Sequence, residues 1–169
     1  MKKLLLVLFV VLLPVSAFCQ DGYCGLRYGE SFAEARKTLE DKGYLMIFNR
    51  AELRKFAIDP TSDAFDVDLV IDPATETLAG WIVYFDVELP DESQTAAIER
   101  LKQLHGAHFV EDPESGILGA PLGEGRAVSV AFDDNGNLAL FVYFDEARQD
   151  LFDASTARND EWQALNAED

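Results

Sequence analysis

Val128-Ser129-Val130-Ala131-Phe132-Asp133-Asp134-Asn135-Gly136-Asn137-Leu138-Ala139-Leu140-Phe141-Val142-Tyr143-Phe144-Asp145 reads as two β-strands and the turn between them. Branched and aromatic residues fill both arms. Asp-Asn-Gly is turn chemistry, with Gly136 supplying the left-handed residue. A three-residue loop joins Val128, Val130 and Phe132 to Leu138, Leu140, Val142 and Phe144 on one face. A two-residue Asn-Gly loop would instead put Phe141 and Tyr143 beside Val128, Val130 and Phe132. The first arrangement gives a wholly apolar face. Strand side chains alternate, so a one-residue slip would destroy it, and the longer loop is expected.

The pattern occurs twice. Val83-Tyr84-Phe85-Asp86 returns as Val142-Tyr143-Phe144-Asp145, and Val67–Asp72 matches Val128–Asp133. Upstream, Ser31, Ala35, Leu39 and Gly43 match Ser93, Ala97, Leu101 and Gly106. Four blocks keep the same order at offsets of 59 to 63 residues, the mark of an internal duplication. Each unit reads helix, strand, long connection, strand, turn, strand. Ser31 and Glu34 form a capping box at the first helix, and Gly43 ends it. The second helix opens at Asp91 with Gln94 in the answering position, and Gly106 stops it. In unit 1 the same register joins Phe65, Val67, Leu69 and Ile71 to Ala79, Trp81, Val83 and Phe85.

The expected fold is therefore α+β: a two-layer antiparallel sheet with helices on one face, built from two tandem α-β-β-β units at 25–86 and 87–145. Residues 146–169 form an acidic tail, partly helical or frayed, that Leu151, Phe152, Trp162 and Leu165 could dock.

This register leaves a second sheet face uncovered by either helix. It carries Asp66, Asp68, Ile82 and Tyr84 from unit 1, and Phe141 and Tyr143 from unit 2. An aromatic, partly apolar face marks a partner-binding surface, unless the tail or a second copy covers it. The connections 50–64 and 112–126 are expected at one end of the molecule. The first holds Arg50, Arg54 and Lys55, the densest basic cluster outside the leader.

Residues 1–19 read as a signal peptide, with Lys2 and Lys3 before the apolar run Leu4–Leu13 and Pro14 after it. The chain is thus expected to be exported, periplasmic or secreted. Cleavage after Ala17 keeps Cys19 and Cys24, which could pair as a disulfide in an oxidising compartment. Cleavage after Cys19 leaves Cys24 alone. Membrane association follows only if Cys19 is lipidated, which bulky Phe18 argues against.

The 169 residues are 49% hydrophobic, enough for a core, and carry a net charge of −17. Removing two leader lysines takes this to −19. Residues 56–169 hold twenty-five acidic and five basic side chains. Such a chain lacks the basic footprint of a nucleic-acid binder. A protein partner, if charged, is expected to be basic.

Catalytic motifs are missing. There is no nucleophile elbow, Rossmann fingerprint or HExxH. His105 and His108, with Glu111 or Asp112, are placed on different elements and make a poor metal set. Asp133-Asp134-Asn135-Gly136 lacks calcium-loop spacing. Asp66 and Asp68 pair on one strand without a nucleophile. No cofactor is implied.

Gly29-Glu30-Ser31-Phe32-Ala33-Glu34-Ala35, running on to Leu39 and Gly43, resembles the helix openers of two exported groups. These are the β-lactamase inhibitor protein and the BamE-like outer-membrane assembly lipoproteins. The resemblance spans about 25–145 and implies a binding module that uses its sheet face. The reading that follows is a non-catalytic, protein-binding module of the cell envelope. The alternatives are a small envelope enzyme or calcium binder using the acidic face, and a structural homodimer.

Overall fold

The computed structural model describes residues 21–58, 64–86, 88–106, 109–111 and 117–167. The leader, Cys19, His108 and Asp112 lie outside the described residues. After a short 3₁₀ turn at Tyr23–Gly25 come α1 (Phe32–Glu40), β1 (Leu45–Arg50), β2 (Leu53–Ala57), β3 (Ala64–Asp72) and β4 (Thr77–Phe85). Then follow α2 (Asp91–His105), β5 (Val110–Glu111), β6 (Leu118–Gly123), β7 (Arg126–Phe132), β8 (Leu138–Asp145) and α3 (Gln149–Asn166). The protein is α+β, with one antiparallel sheet ordered β1-β2-β3-β4-β8-β7-β6-β5. A helix followed by four strands occurs twice along the chain, and the two sets meet where β4 pairs with β8.

The expected long connections contain strands. β2 lies within the first and β6 within the second. Arg54-Lys55 in β2, and Gly119, Pro121 and Gly123 in β6, break the apolar alternation by which strands are recognised. The basic cluster is dispersed as well. Arg54 and Lys55 are consecutive on a strand and so point to opposite faces.

The main core lies on one face of the sheet. Ala35 and Leu39 of α1 and Ala97 and Leu101 of α2 cluster with Val67, Leu69, Trp81, Val83, Val128 and Val130. Tyr23, Cys24 and Leu26, just before α1, are buried in the same cluster. The capping box forms as read: Ser31 Oγ accepts from Glu34 N–H, and the Glu34 carboxylate accepts from Ser31 N–H. At α2 the cap differs. Pro90 precedes the helix with no side-chain cap, and Gln94 is buried.

The hairpin turn is the three-residue loop. Asp133 N–H donates to Asn137 C=O at 2.8 Å, and Gly136 has φ 84°. Yet the expected face is wrong, because a β-bulge follows. Phe132 lies opposite Leu138, but Ala131 lies opposite Leu140. The extra residue reverses the parity of everything beyond it. Phe141 then faces Val130, and Tyr143 faces Val128, inside the core. Both are fully buried. A second bulge corrects unit 1: Val70 pairs with Gly80 but Ile71 with Leu78. Leu78 therefore joins the main core, and Ala79 faces the other side.

The region read as a tail is largely the helix α3. It packs on the opposite side of the sheet from the main core, where Phe152 clusters with Val70 and Ala79, and Phe144 and Val142 pack alongside. A Cβ on Gly80 would sit 2.2 Å from Phe152 Cζ and 2.4 Å from the Tyr143 carbonyl oxygen. Only glycine permits this approach. Of the four expected docking residues, Leu165 is 65% exposed and does not dock.

Candidate functional site

On β2 the side chain after Arg54 turns toward α3. Lys55 is only 4% exposed, although its residue type is usually found in water. Its ammonium meets four groups, one of them the Tyr84 ring with its centre 5.6 Å away. Nζ donates to Asp68 Oδ2 at 2.6 Å and to Asn159 Oδ1 at 3.0 Å, and it lies 4.9 Å from the centre of the Trp162 ring. Tyr84, on β4, donates its hydroxyl to the same Asp68 Oδ2 at 3.2 Å. Asp68 lies opposite Lys55 on one side and Ile82 on the other, and Asp66 opposite Ala57 and Tyr84. Asp66 and Asp68 alternate along β3, so both face α3.

A cavity of about 240 Å³ opens here, lined by Lys55, Asp66, Tyr84, Asn159, Trp162 and Gln163. The hydrogen-bond count beside it does not close. Asp66 Oδ1 and Asp68 Oδ1 are both buried and have no hydrogen-bond partner. Buried carboxylate oxygens are normally satisfied, and leaving one unpaired is costly. Charge does not balance either, with two carboxylates against one ammonium. Burial pushes the Asp66 carboxyl above its ordinary value, and the neighbouring Asp68 charge adds to this. Burial also raises Asp68, against the pull of Lys55. The Tyr84 phenol is raised by burial and by the same carboxylates.

Three of the six expected surface residues, Asp66, Asp68 and Tyr84, are thus brought together. Ile82 is on the same face beside them but does not line the cavity. Phe141 and Tyr143 are core residues, for the bulge described above. Tyr143 stacks on Trp81 with ring centres 4.2 Å apart. Its hydroxyl accepts from Tyr23 N–H and bonds His105 Nε2, each at 2.8 Å. Lys55 was expected only in a basic loop cluster and Trp162 only as a docking residue, and Asn159 was not anticipated. A signal did exist: Phe152, Ser155, Asn159 and Trp162 fall on one helical stripe. Two polar residues in that stripe hid it.

Other candidates are closed or generic. A cavity of about 320 Å³ contains Arg126, Arg148, Asp72 and Asp145, but these charges pair with one another. Among the described residues, no group of three or more His, Cys, Asp or Glu is placed to hold a metal ion. Asp133 of the suspected calcium loop accepts from the backbone N–H groups of Asn135 and Asn137, as a turn residue does. Cys24 is a buried thiol, pushed up to about 11 by burial.

Compared with models of protein families, with curated proteins and with solved structures, the chain matches none.

Proposed function

We propose that this is an exported, non-catalytic binding module of the cell envelope, composed of two tandem helix-plus-sheet units, whose ligand is a basic protein. The observation that carries the reading is the pair of buried, partnerless carboxylate oxygens on Asp66 and Asp68, beside a cavity walled by Tyr84 and Trp162. Leaving buried carboxylate oxygens without donors is costly, and the acidic cavity beside them favours a basic group. The net charge of −17 attracts a basic partner over distance, and the cavity gives it a place to end. The leader supports export. The resemblance to the β-lactamase inhibitor protein and BamE-like modules supports recognition through a sheet.

The test is affinity capture from an envelope extract, with the chain from Gln20 onward as bait. The expected result is one basic protein retained at low salt and lost at high salt, since exposed charge attraction is screened. Asp66→Asn and Tyr84→Ala baits should fail to retain it. A dimer by light scattering with nothing captured would instead make this chain a structural homodimer. Capture unchanged by either variant would move the binding surface elsewhere.

A further inference from the structure

We propose that the open edge of β1 takes up an extended segment of a partner protein, antiparallel to β1, with apolar residues at alternate positions and one carboxylate side chain that pairs with Arg50. This site is separate from the Asp66 cavity and does not rest on the reading of that cavity. β1 begins the sheet, and among the described residues no strand pairs with its outer side. An edge strand presents unpaired N–H and C=O groups, a template for another strand. The far edge is guarded. β5 there has two residues, and beside it β6 runs on through Pro121, which has no N–H to give. β1 has six residues, no proline, and no charge before Arg50.

A groove of about 560 Å³ lies beside that edge, lined by Phe48 and Arg50 of β1 and by Glu161, Ala164 and Leu165 of α3. The register of β1 explains it. Met46 lies opposite Phe56, but Phe48 lies opposite Lys55, so Ile47 is an extra residue. This bulge turns Phe48 from the core side to the α3 side. Leu45, opposite Ala57, is on the α3 side too and is 71% exposed. An added strand sets its apolar residues against Leu45 and Phe48 and its carboxylate against Arg50. Main-chain bonds hold such a strand, and the groove selects its side chains. Charge names the occupant. Glu161 is engaged by Arg158 at 2.6 Å, whereas Arg50 makes no ion pair among the described residues. A guanidinium is matched by a carboxylate. A second copy of β1 brings none, since Leu45–Arg50 contains no acidic residue. The net negative charge of the chain does not forbid one carboxylate here. Residues 20–55 hold seven basic and six acidic side chains, and charge beyond about 8–10 Å is screened.

The experiment titrates the peptide acetyl-Glu-Thr-Val-Thr-Val-Thr-amide into the full chain from Gln20 onward. Run antiparallel, its glutamate meets Arg50 and its valines meet Phe48 and Leu45. The readout is the assigned backbone amide spectrum, which also confirms the fold of each variant. Shifts should concentrate at Leu45–Arg50 and saturate with a dissociation constant on the order of millimolar, as for a short flexible ligand. The peptide with Gln in place of Glu should bind about three- to fivefold more weakly, the worth of a partly exposed ion pair. Arg50→Gln should weaken the Glu peptide by the same factor and make the two peptides equivalent. Leu165→Glu, at an exposed position in the groove, should weaken both. Asp66→Asn should change neither, which separates this edge from the cavity. No saturation, shifts centred outside β1, equal binding of the two peptides to the unaltered chain, or loss of binding in Asp66→Asn overturns the proposal. A dimer by light scattering that protects the β1 amides from exchange without peptide also overturns it, because the edge then belongs to a second copy.

Discussion

Gln94 and Leu138 are joined by a hydrogen bond of 2.7 Å from the Leu138 backbone N–H to the Gln94 side-chain oxygen. The bond links α2 to the first residue of β8, at the bulge that sets which residues enter the core. Gln94 also donates to the Leu89 carbonyl at 2.8 Å, so the buried amide is satisfied at both ends. A helix residue thereby takes up a strand N–H at the point where the ladder is disrupted.

Gln94→Ala should therefore destabilise the protein by about 1–3 kcal/mol, the usual cost of a buried backbone donor left without a partner. Chemical denaturation measures this. A loss within experimental error of zero would mean that β7 and β8 hold the bulge without help.

Tyr143→Ala and Tyr84→Ala should separate core from surface. Tyr143 is fully buried, stacked on Trp81 and bonded to His105 and Tyr23. Its truncation should cost about 3–5 kcal/mol, as for other large aromatic core residues. Tyr84 lies on the α3 side and should cost clearly less while abolishing capture. Equal melting temperatures for the two variants would contradict the register.

Gly80→Ala tests the seat of α3. The new methyl meets the Phe152 ring and the Tyr143 carbonyl well inside contact distance. Overpacking of this kind costs about 1–3 kcal/mol. Phe152 can yield by moving outward, so limited proteolysis should cut within α3 before the sheet unfolds. Protection equal to wild type would show that the helix is held from its other end, at Lys55 and Trp162.

Asp66→Asn should raise stability at neutral pH. The folded-state pKa of Asp66 is raised, so the folded state holds the proton more tightly than the unfolded one. Its stabilising influence is therefore greatest below the ordinary aspartate value, about 4, and is lost as pH rises through the raised value. Melting temperatures across pH 3 to 8, roughly the range where carboxylates finish titrating, should show wild type falling behind the Asn variant as pH rises. A wild type that stays ahead at neutral pH would mean that the Asp66 charge has a partner in the fold.

The parts of this architecture that are local in sequence were legible in it. Ser31 with Glu34 gave the cap of α1, Gly106 stopped α2 with φ 80°, and Asp133 with Gly136 gave the correct turn. Alternation along β3 placed Asp66 and Asp68 on the right face. The two bulges were not legible, because an inserted residue changes strand parity without changing composition. Leu138, Leu140 and Val142 look equally suited to either face, and the bond from Gln94 that fixes the choice comes from 44 residues away. Trp162 was read as a docking residue, but nothing local to it indicated Lys55. The site was half legible for the same reason: its strand half follows a period of two, whereas its helix half is a polar stripe.

The cavity draws its two walls from segments far apart in the chain. Lys55 precedes Asn159 by 104 residues. During synthesis the acidic floor on β3 is made early and stays open until α3 has been threaded through to join it. A fragment ending at Asp145 would own both carboxylates and every strand, yet have no Asn159 and no Trp162 to close them in. On the proposed function, binding therefore requires α3 as well as the sheet. Truncated products, however well their sheet forms, should be silent in any capture experiment.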